Sequence, residues 1–84
     1  MTPDQDLDAR DLLCPLPVLK ARKRLLTMQP GEVLRVWSTD PAAVIDMPHF
    51  CAQTGHEYLG ATRGDGATAH LIRCVAANHC FMKD

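Results

Sequence analysis

The sequence predicts an α/β (α+β) two-layer sandwich of order β-α-β-α-β-β, with two helices on one face of a four-stranded mixed sheet. Three observations carry this reading. Two stretches, 15–28 and 41–54, repeat apolar residues at helical spacing, and a start signal or a stop signal bounds each. The run "EVLRVWS" at 32–38 alternates apolar and polar in the manner of a strand with one buried face. Finally, "GDG" at 64–66 separates two strand-like runs and is a tight-hairpin signal.

Taken in order, Gln5–Ala9 holds one strong apolar residue, Leu7, and suits a short edge strand. In the first helix Val18, Leu19, Ala21, Leu25, Leu26 and Met28 are expected on the core side, with Lys20, Lys23, Arg24 and Thr27 opposite. Arg22 falls within the apolar arc and must snorkel or meet an acid. Pro30-Gly31 turns the chain into the second strand, where Leu34 and Val36 share one face and Val33, Arg35 and Trp37 the other. Asp40-Pro41 reads as an N-cap followed by proline at the first helical position. Val44, Met47 and Cys51 form the stripe of the second helix, flanked by Ala43 and Phe50. Pro48 is expected to kink or break that helix, with Asp46 capping a restart, and Gly55 to end it in a left-handed cap. Strands are expected over 56–63 and 67–75. The 84 residues then form a single domain, with a core over about residues 5–76 and a tail over 77–84.

Composition excludes several classes of function. A net charge of −1 gives no overall pull toward nucleic acid or anionic membrane. No apolar run approaches the roughly 20 residues of a membrane span. The opening "MTPDQDLDARD" is acidic and lacks the apolar core of a signal peptide, so a cytoplasmic location is expected. Cysteines at 14, 51, 74 and 80 follow no C-x-x-C spacing, and in a reducing compartment they are expected as free thiols. Cys51 and Cys74 fall on apolar faces and read as core residues. Cys80, beside His79 in the tail, is the one that could be exposed and oxidisable. His49, His56, His70 and His79 lack ligand spacing, and no metal site is expected.

The chemistry concentrates in "DLLCPLPVLKARKRLL" at 11–26. Cys14 stands at or just before the first helical residue, where the partial positive charge and unpaired N–H groups of a helix start favour a thiolate. Pro15 and Pro17 fit the first turn without costing a helix hydrogen bond, and they leave the Leu16 and Val18 amides to face the sulfur. Pro17 occupies the place where a C-x-x-C pair would hold its resolving thiol. A lone activated thiolate attacks a sulfur donor and keeps the product until another protein's thiol removes it. The other reading of the same residue is a small apolar side chain at a helix start. Lys20, Arg22, Lys23 and Arg24 form a basic cluster, and it is either a solvated face or a docking surface for acidic partners. One Trp, one Tyr and two Phe are too few stacking residues for direct nucleic-acid binding. Trp37, on the open side of the sheet, is a candidate contact.

"LDARDLLCPLPVLKARKRL" followed by "PGEVLRVWSTDPAAVIDMPHFCAQTGHEYL" resembles the TusA/SirA-like family of sulfur carriers, from Leu7 through "LIR" at 71–73. The Cys-Pro-x-Pro motif carries the resemblance, joined by Pro-Gly-Glu, Asp-Pro, Asp46-x-Pro48 and Gly55-His56-Glu57. The resemblance implies the same two-layer fold and a persulfide carried on Cys14. The sulfur would come from a cysteine desulfurase or another sulfurtransferase and go to an acceptor protein, as in 2-thiolation of the tRNA wobble uridine or another sulfur-trafficking route. It implies no metal, nucleotide or organic cofactor, the persulfide being the carried group, and a monomer is expected. Lys20, Lys23 and Arg24 would then dock partners. The alternative function is a non-catalytic interaction or regulatory module in which Cys14 is structural or redox-sensing. Family members carry glycine where this chain has Asp11, so a positive φ there would strain the aspartate, and its charge would oppose thiolate formation.

Overall fold

A computed structural model describes residues 2–75. The elements follow the expected order: β1 (Gln5–Ala9), α1 (Leu16–Leu25), β2 (Val33–Ser38), α2 (Ala43–Thr54), β3 (Glu57–Gly64) and β4 (Ala67–Arg73). The sheet runs β1-β2-β4-β3, parallel between β1 and β2 and antiparallel across the other two pairings. The parallel pair has a direct consequence for function. β1 and β2 end at the same edge of the sheet, so the helices that follow them also begin there.

Alternation along the strands sorts the two faces. Leu7, Ala9, Leu34, Val36, Ile72 and Cys74 pack against Ala21, Leu25, Met28, Ala43, Met47, Phe50 and Cys51 in one buried core. The opposite face is polar at its β1 edge. There the Arg35 guanidinium grips Asp6 with both carboxylate oxygens engaged, at 2.5 and 3.0 Å, and lies 5.2 Å over the Trp37 ring. Trp37 Nε1 donates to the same carboxylate at 3.2 Å. Trp37 therefore faces the open side as expected, but it is half-buried within its own strand pair.

Both helices depart from expectation in ways the packing explains. The buried stripe of α1 is Pro17, Ala21 and Leu25. Leu19 and Leu26 lie on the other side of the cylinder and are about half exposed, and Arg22 needs no acid because it too faces solvent. The helix ends three residues before the expected Met28. The Thr27 and Met28 amides bond three residues back, to Arg24 and Leu25, which tightens the last turn, and the Thr27 hydroxyl donates to the Arg24 carbonyl at 2.7 Å. α2 begins later than expected, at Ala43, after a turn in which the Ala43 amide donates to the Asp40 carbonyl at 3.0 Å. Pro48 neither breaks nor restarts it: the helix is continuous through the proline, held by the buried Met47, Phe50 and Cys51 on either side. Val44, placed on the core stripe by its spacing, is half exposed instead.

The turn signals are realised. Gly31 has φ 96° and donates its N–H to the Cys74 carbonyl at 2.7 Å. Gly55 closes α2 with φ 91° and an N–H bond to the Cys51 carbonyl. Asp65 and Gly66 both take positive φ, as a two-residue turn between β3 and β4 requires. A bulge between Tyr58 and Gly60 shifts the β3 register. Cys80, His79 and the expected tail lie outside the described residues.

Candidate functional site

The loop that carries Cys14 is held by hydrogen bonds from two sides. Before it, Arg10 folds back on Asp8 through its N–H and its guanidinium, at 2.9–3.0 Å. Asp11 takes φ 67°, the left-handed region that the glycine of the family motif implies and that aspartate tolerates better than most residues. Its N–H donates to Thr39 Oγ1 at 2.8 Å. The Cys14 N–H donates to Asp40 Oδ2 at 2.6 Å, while Asp40 Oδ1 accepts the Ala42 N–H at 3.1 Å. One carboxylate thus fixes the turn into α2 and also anchors the thiol-bearing residue.

α1 begins at Leu16, with Pro15 as its N-cap and no side-chain cap, so Cys14 stands two residues outside the helix. The Cys14–Pro15 peptide is cis. The Leu16 amide, expected to face the sulfur, donates instead to the Leu13 carbonyl at 2.8 Å. Pro17 is fully buried. It packs in the core as well as constraining the backbone, a role its position in the motif did not reveal.

The electrostatics of the sulfur are the reverse of those expected from a helix start. The carboxylate of Asp46, in the first turn of α2, is the main influence that raises the Cys14 thiol above its ordinary value. Desolvation and then the charges of Asp46 and Asp40 push in the same direction. The helix start offers about half a charge spread over several amides, and one of those amides is already committed. From the sequence, Asp11 is the acid expected to oppose the thiolate and Asp46 a helix cap; in the structure the opposing charges are those of Asp46 and Asp40. Asp46 is the site residue that the sequence reading missed. Its signal is topological: the parallel β1–β2 pair places the starts of α1 and α2 side by side.

The other candidate residues lie elsewhere. Cys14 is exposed, whereas Cys51 and Cys74 are buried. Burial alone pushes the Cys51 thiol up to about 12, and the Cys74 Sγ lies 3.7 Å from both the Leu25 and Met28 carbonyls. His56 Nδ1 accepts the Val75 N–H at 3.1 Å, and His70 Nδ1 meets the Tyr58 hydroxyl at 2.9 Å. Lys20 and Lys23 are exposed on α1. Arg24 is not: its Nη1 donates to Gln5 Oε1 at 3.1 Å and to the Asp6 carbonyl at 3.3 Å. It stitches α1 to β1, so of the three expected docking cations Lys20 and Lys23 are the exposed ones.

An exposed thiol on a fixed loop, without a second cysteine beside it among the described residues, is a group that can take up one sulfur and present it. Comparison with known proteins agrees. Residues 5–74 match the family described as Sulfurtransferase TusA. The chain belongs to the TusA family of sulfur carriers. The sulfur carrier protein TusA of Allochromatium vinosum is 46% identical over 70 residues, which cover 83% of this chain and 92% of that one. A protein of Neisseria meningitidis serogroup A, described provisionally as a sulfur carrier, is 50% identical over 69 residues, covering 82% of this chain and 93% of that protein. The crystal structure of a SirA-like protein from Desulfitobacterium hafniense superposes with a TM-score of 0.74 at 20% identity, over 84% of this chain and 97% of that one. At that identity the likeness establishes the fold, and the TusA-family assignment rests on the sequence matches. Among the described residues, no helix is long and apolar enough to cross a membrane.

Proposed function

We propose that this chain carries sulfur in the cytoplasm as a persulfide on Cys14, taking it from a cysteine desulfurase or another sulfurtransferase and passing it to a cysteine of an acceptor protein. The acceptor serves tRNA thiolation or another sulfur-using pathway. The observation that carries the reading is the contrast in access: Cys14 is exposed at the mouth of α1, while Cys51 and Cys74 are buried and Pro17 fills the position of a resolving thiol. In loading, the Cys14 thiolate attacks the outer sulfur of the donor persulfide. The donor's S–S bond breaks, its cysteine leaves as a thiolate, and Cys14 becomes the persulfide with no net change in oxidation state. In unloading, the acceptor thiolate attacks that outer sulfur and Cys14 leaves. Asp46 disfavours the thiolate of the empty carrier, and the thiolate is the oxidisable form. Lys20 and Lys23 contribute a positive flank on α1 for partner encounter.

Mass spectrometry after mixing with a cysteine desulfurase and L-cysteine tests the proposal. The wild-type chain is expected to gain about 32 Da, one sulfur atom, and Cys14→Ser to gain nothing while keeping its circular dichroism spectrum. A sulfur adduct at wild-type level on Cys14→Ser, or none on the wild type, contradicts the proposal. The second outcome favours a non-catalytic interaction module.

A further inference from the structure

A groove of about 640 Å³ is lined by the start of α2, the end of β2 and the β3–β4 hairpin. That volume lies within the range of about 300–1,000 Å³ typical of small-molecule sites. Strand register builds its polar side. Ser38 of β2 pairs with Thr68 of β4, and Thr68 pairs with Arg63 of β3. Cross-strand partners share a face, so the three side chains form one row on the helix-facing side of the sheet, and all three line the groove. With strands about 4.8 Å apart, the row is about 10 Å long at the backbone, a span that an arginine side chain and a carboxylate can bridge together. Pro41, Val44, Ile45 and Ala61 supply apolar lining. Val44 and Ile45 are the α2 residues the core leaves out, at 50% and 74% exposed. Cys14 does not line the groove.

The polar groups around the groove are donors without an acceptor. Asp40 lines it too, but its two oxygens already accept the Cys14 and Ala42 N–H groups. The amides at the start of α2 are engaged as well, since those of Ala43, Val44, Ile45 and Asp46 donate to the carbonyls of Asp40, Pro41 and Ala42. The Ser38 and Thr39 hydroxyl oxygens accept the Asp40 and Asp11 N–H groups at 3.2 and 2.8 Å, which leaves each hydroxyl a hydrogen to give. Ser38 is buried at 1% exposed, and among the described residues nothing accepts its hydrogen. Arg63 and Thr68 likewise have no side-chain partner among the described residues. A cation and unsatisfied hydroxyls beside apolar side chains call for a guest that only accepts hydrogen bonds at one end and is apolar along the rest. We propose that the groove binds a small amphipathic anion, a carboxylate on an apolar chain or ring. Arg63, Thr68 and Ser38 hold the carboxylate, for which the planar guanidinium is suited, and Val44 and Ile45 cover the apolar body. The inference goes beyond the sulfur-carrier reading and does not depend on it.

Probes that share one apolar chain and differ in head-group charge test the site: octanoate, octanamide and octylammonium, each kept below the concentration at which it forms micelles. They are titrated at neutral pH into the isotope-labelled full chain and followed by amide NMR shifts. Octanoate is expected to shift the signals of Thr39, Ala61, Arg63 and Thr68. It should bind about fivefold more tightly than octanamide, with octylammonium the weakest. Arg63→Gln should bring octanoate down to the octanamide level and leave octanamide unchanged. Ile45→Ser should weaken octanoate and octanamide by the same factor. Both residues are exposed, so both variants should keep the wild-type circular dichroism spectrum. The proposal stands if octanoate is preferred, its shifts cluster at the groove, and the preference disappears with Arg63→Gln. Equal binding of the three probes, a preference for octylammonium or shifts centred elsewhere would overturn it. So would an octanoate preference that survives Arg63→Gln, or affinities untouched by Ile45→Ser.

Discussion

Cys14 and Cys51 are both harder to ionise than an ordinary thiol, for opposite reasons. Cys51 sits in the core, where burial alone holds it at about 12. Cys14 lies at the surface, and the main cause there is the carboxylate of Asp46. A penalty from burial can be lifted only by opening the fold. A penalty imposed mainly by one carboxylate can be lifted by a charge that arrives from outside. The difference separates a thiol that packs from a thiol that waits for a partner, although each has a raised pKa.

The sharpest way to break this comparison is differential labelling. In the folded chain iodoacetamide should modify Cys14 about 1,000-fold faster than Cys51 or Cys74, whose access requires unfolding. Mass spectrometry of proteolytic fragments over time checks this, and comparable rates for the three would place Cys14 in the core's class. A smaller effect comes from the core's histidines. Burial depresses both His56 and His70, so the folded chain refuses protons that an unfolded histidine takes up near its ordinary value of about 6.5. Stability is then full above that value and falls as the pH drops through it toward the lower folded values. The urea midpoint should be lower at about pH 5 than at about pH 7.5, while persulfide loading measured back at neutral pH is unaltered. A midpoint that rises on acidification contradicts the burial argument. The smallest effect concerns Lys20 and Lys23. Replacing both with glutamate should change stability by less than about 0.5 kcal/mol, because both are exposed. It should slow sulfur transfer from a desulfurase at low salt and flatten its salt dependence. Unchanged transfer at every salt concentration would return the pair to a solvated face.

How much of this was legible in the sequence follows from the range of each interaction. Element order, the Gly31 and Gly55 turns and the 64–66 hairpin depend on residues a few positions apart, and all could be read. Helix orientation was harder. α1 holds apolar residues on two sides, and spacing alone could not say that Pro17, Ala21 and Leu25 would be buried while Leu19 and Leu26 remain at the surface. Contacts across the sheet were not legible residue by residue. Arg24 reads as a free cation until β1 is placed beside α1, and Asp46 reads as a cap until the parallel β1–β2 pair brings it to Cys14. The motif showed which thiol matters. Its electrostatic environment depends on a residue that only the fold brings near.

The rate of Cys14 alkylation as a function of pH tests that environment most directly, measured with iodoacetamide in a Cys80→Ser background and again with Asp46→Asn added. The account predicts a midpoint above about 8.5, the ordinary value for a free thiol, that moves down when Asp46 loses its charge, with several-fold faster alkylation at neutral pH. A midpoint already below that value in the parent chain and unmoved by Asp46→Asn would mean that the start of α1, and not Asp46, governs the sulfur.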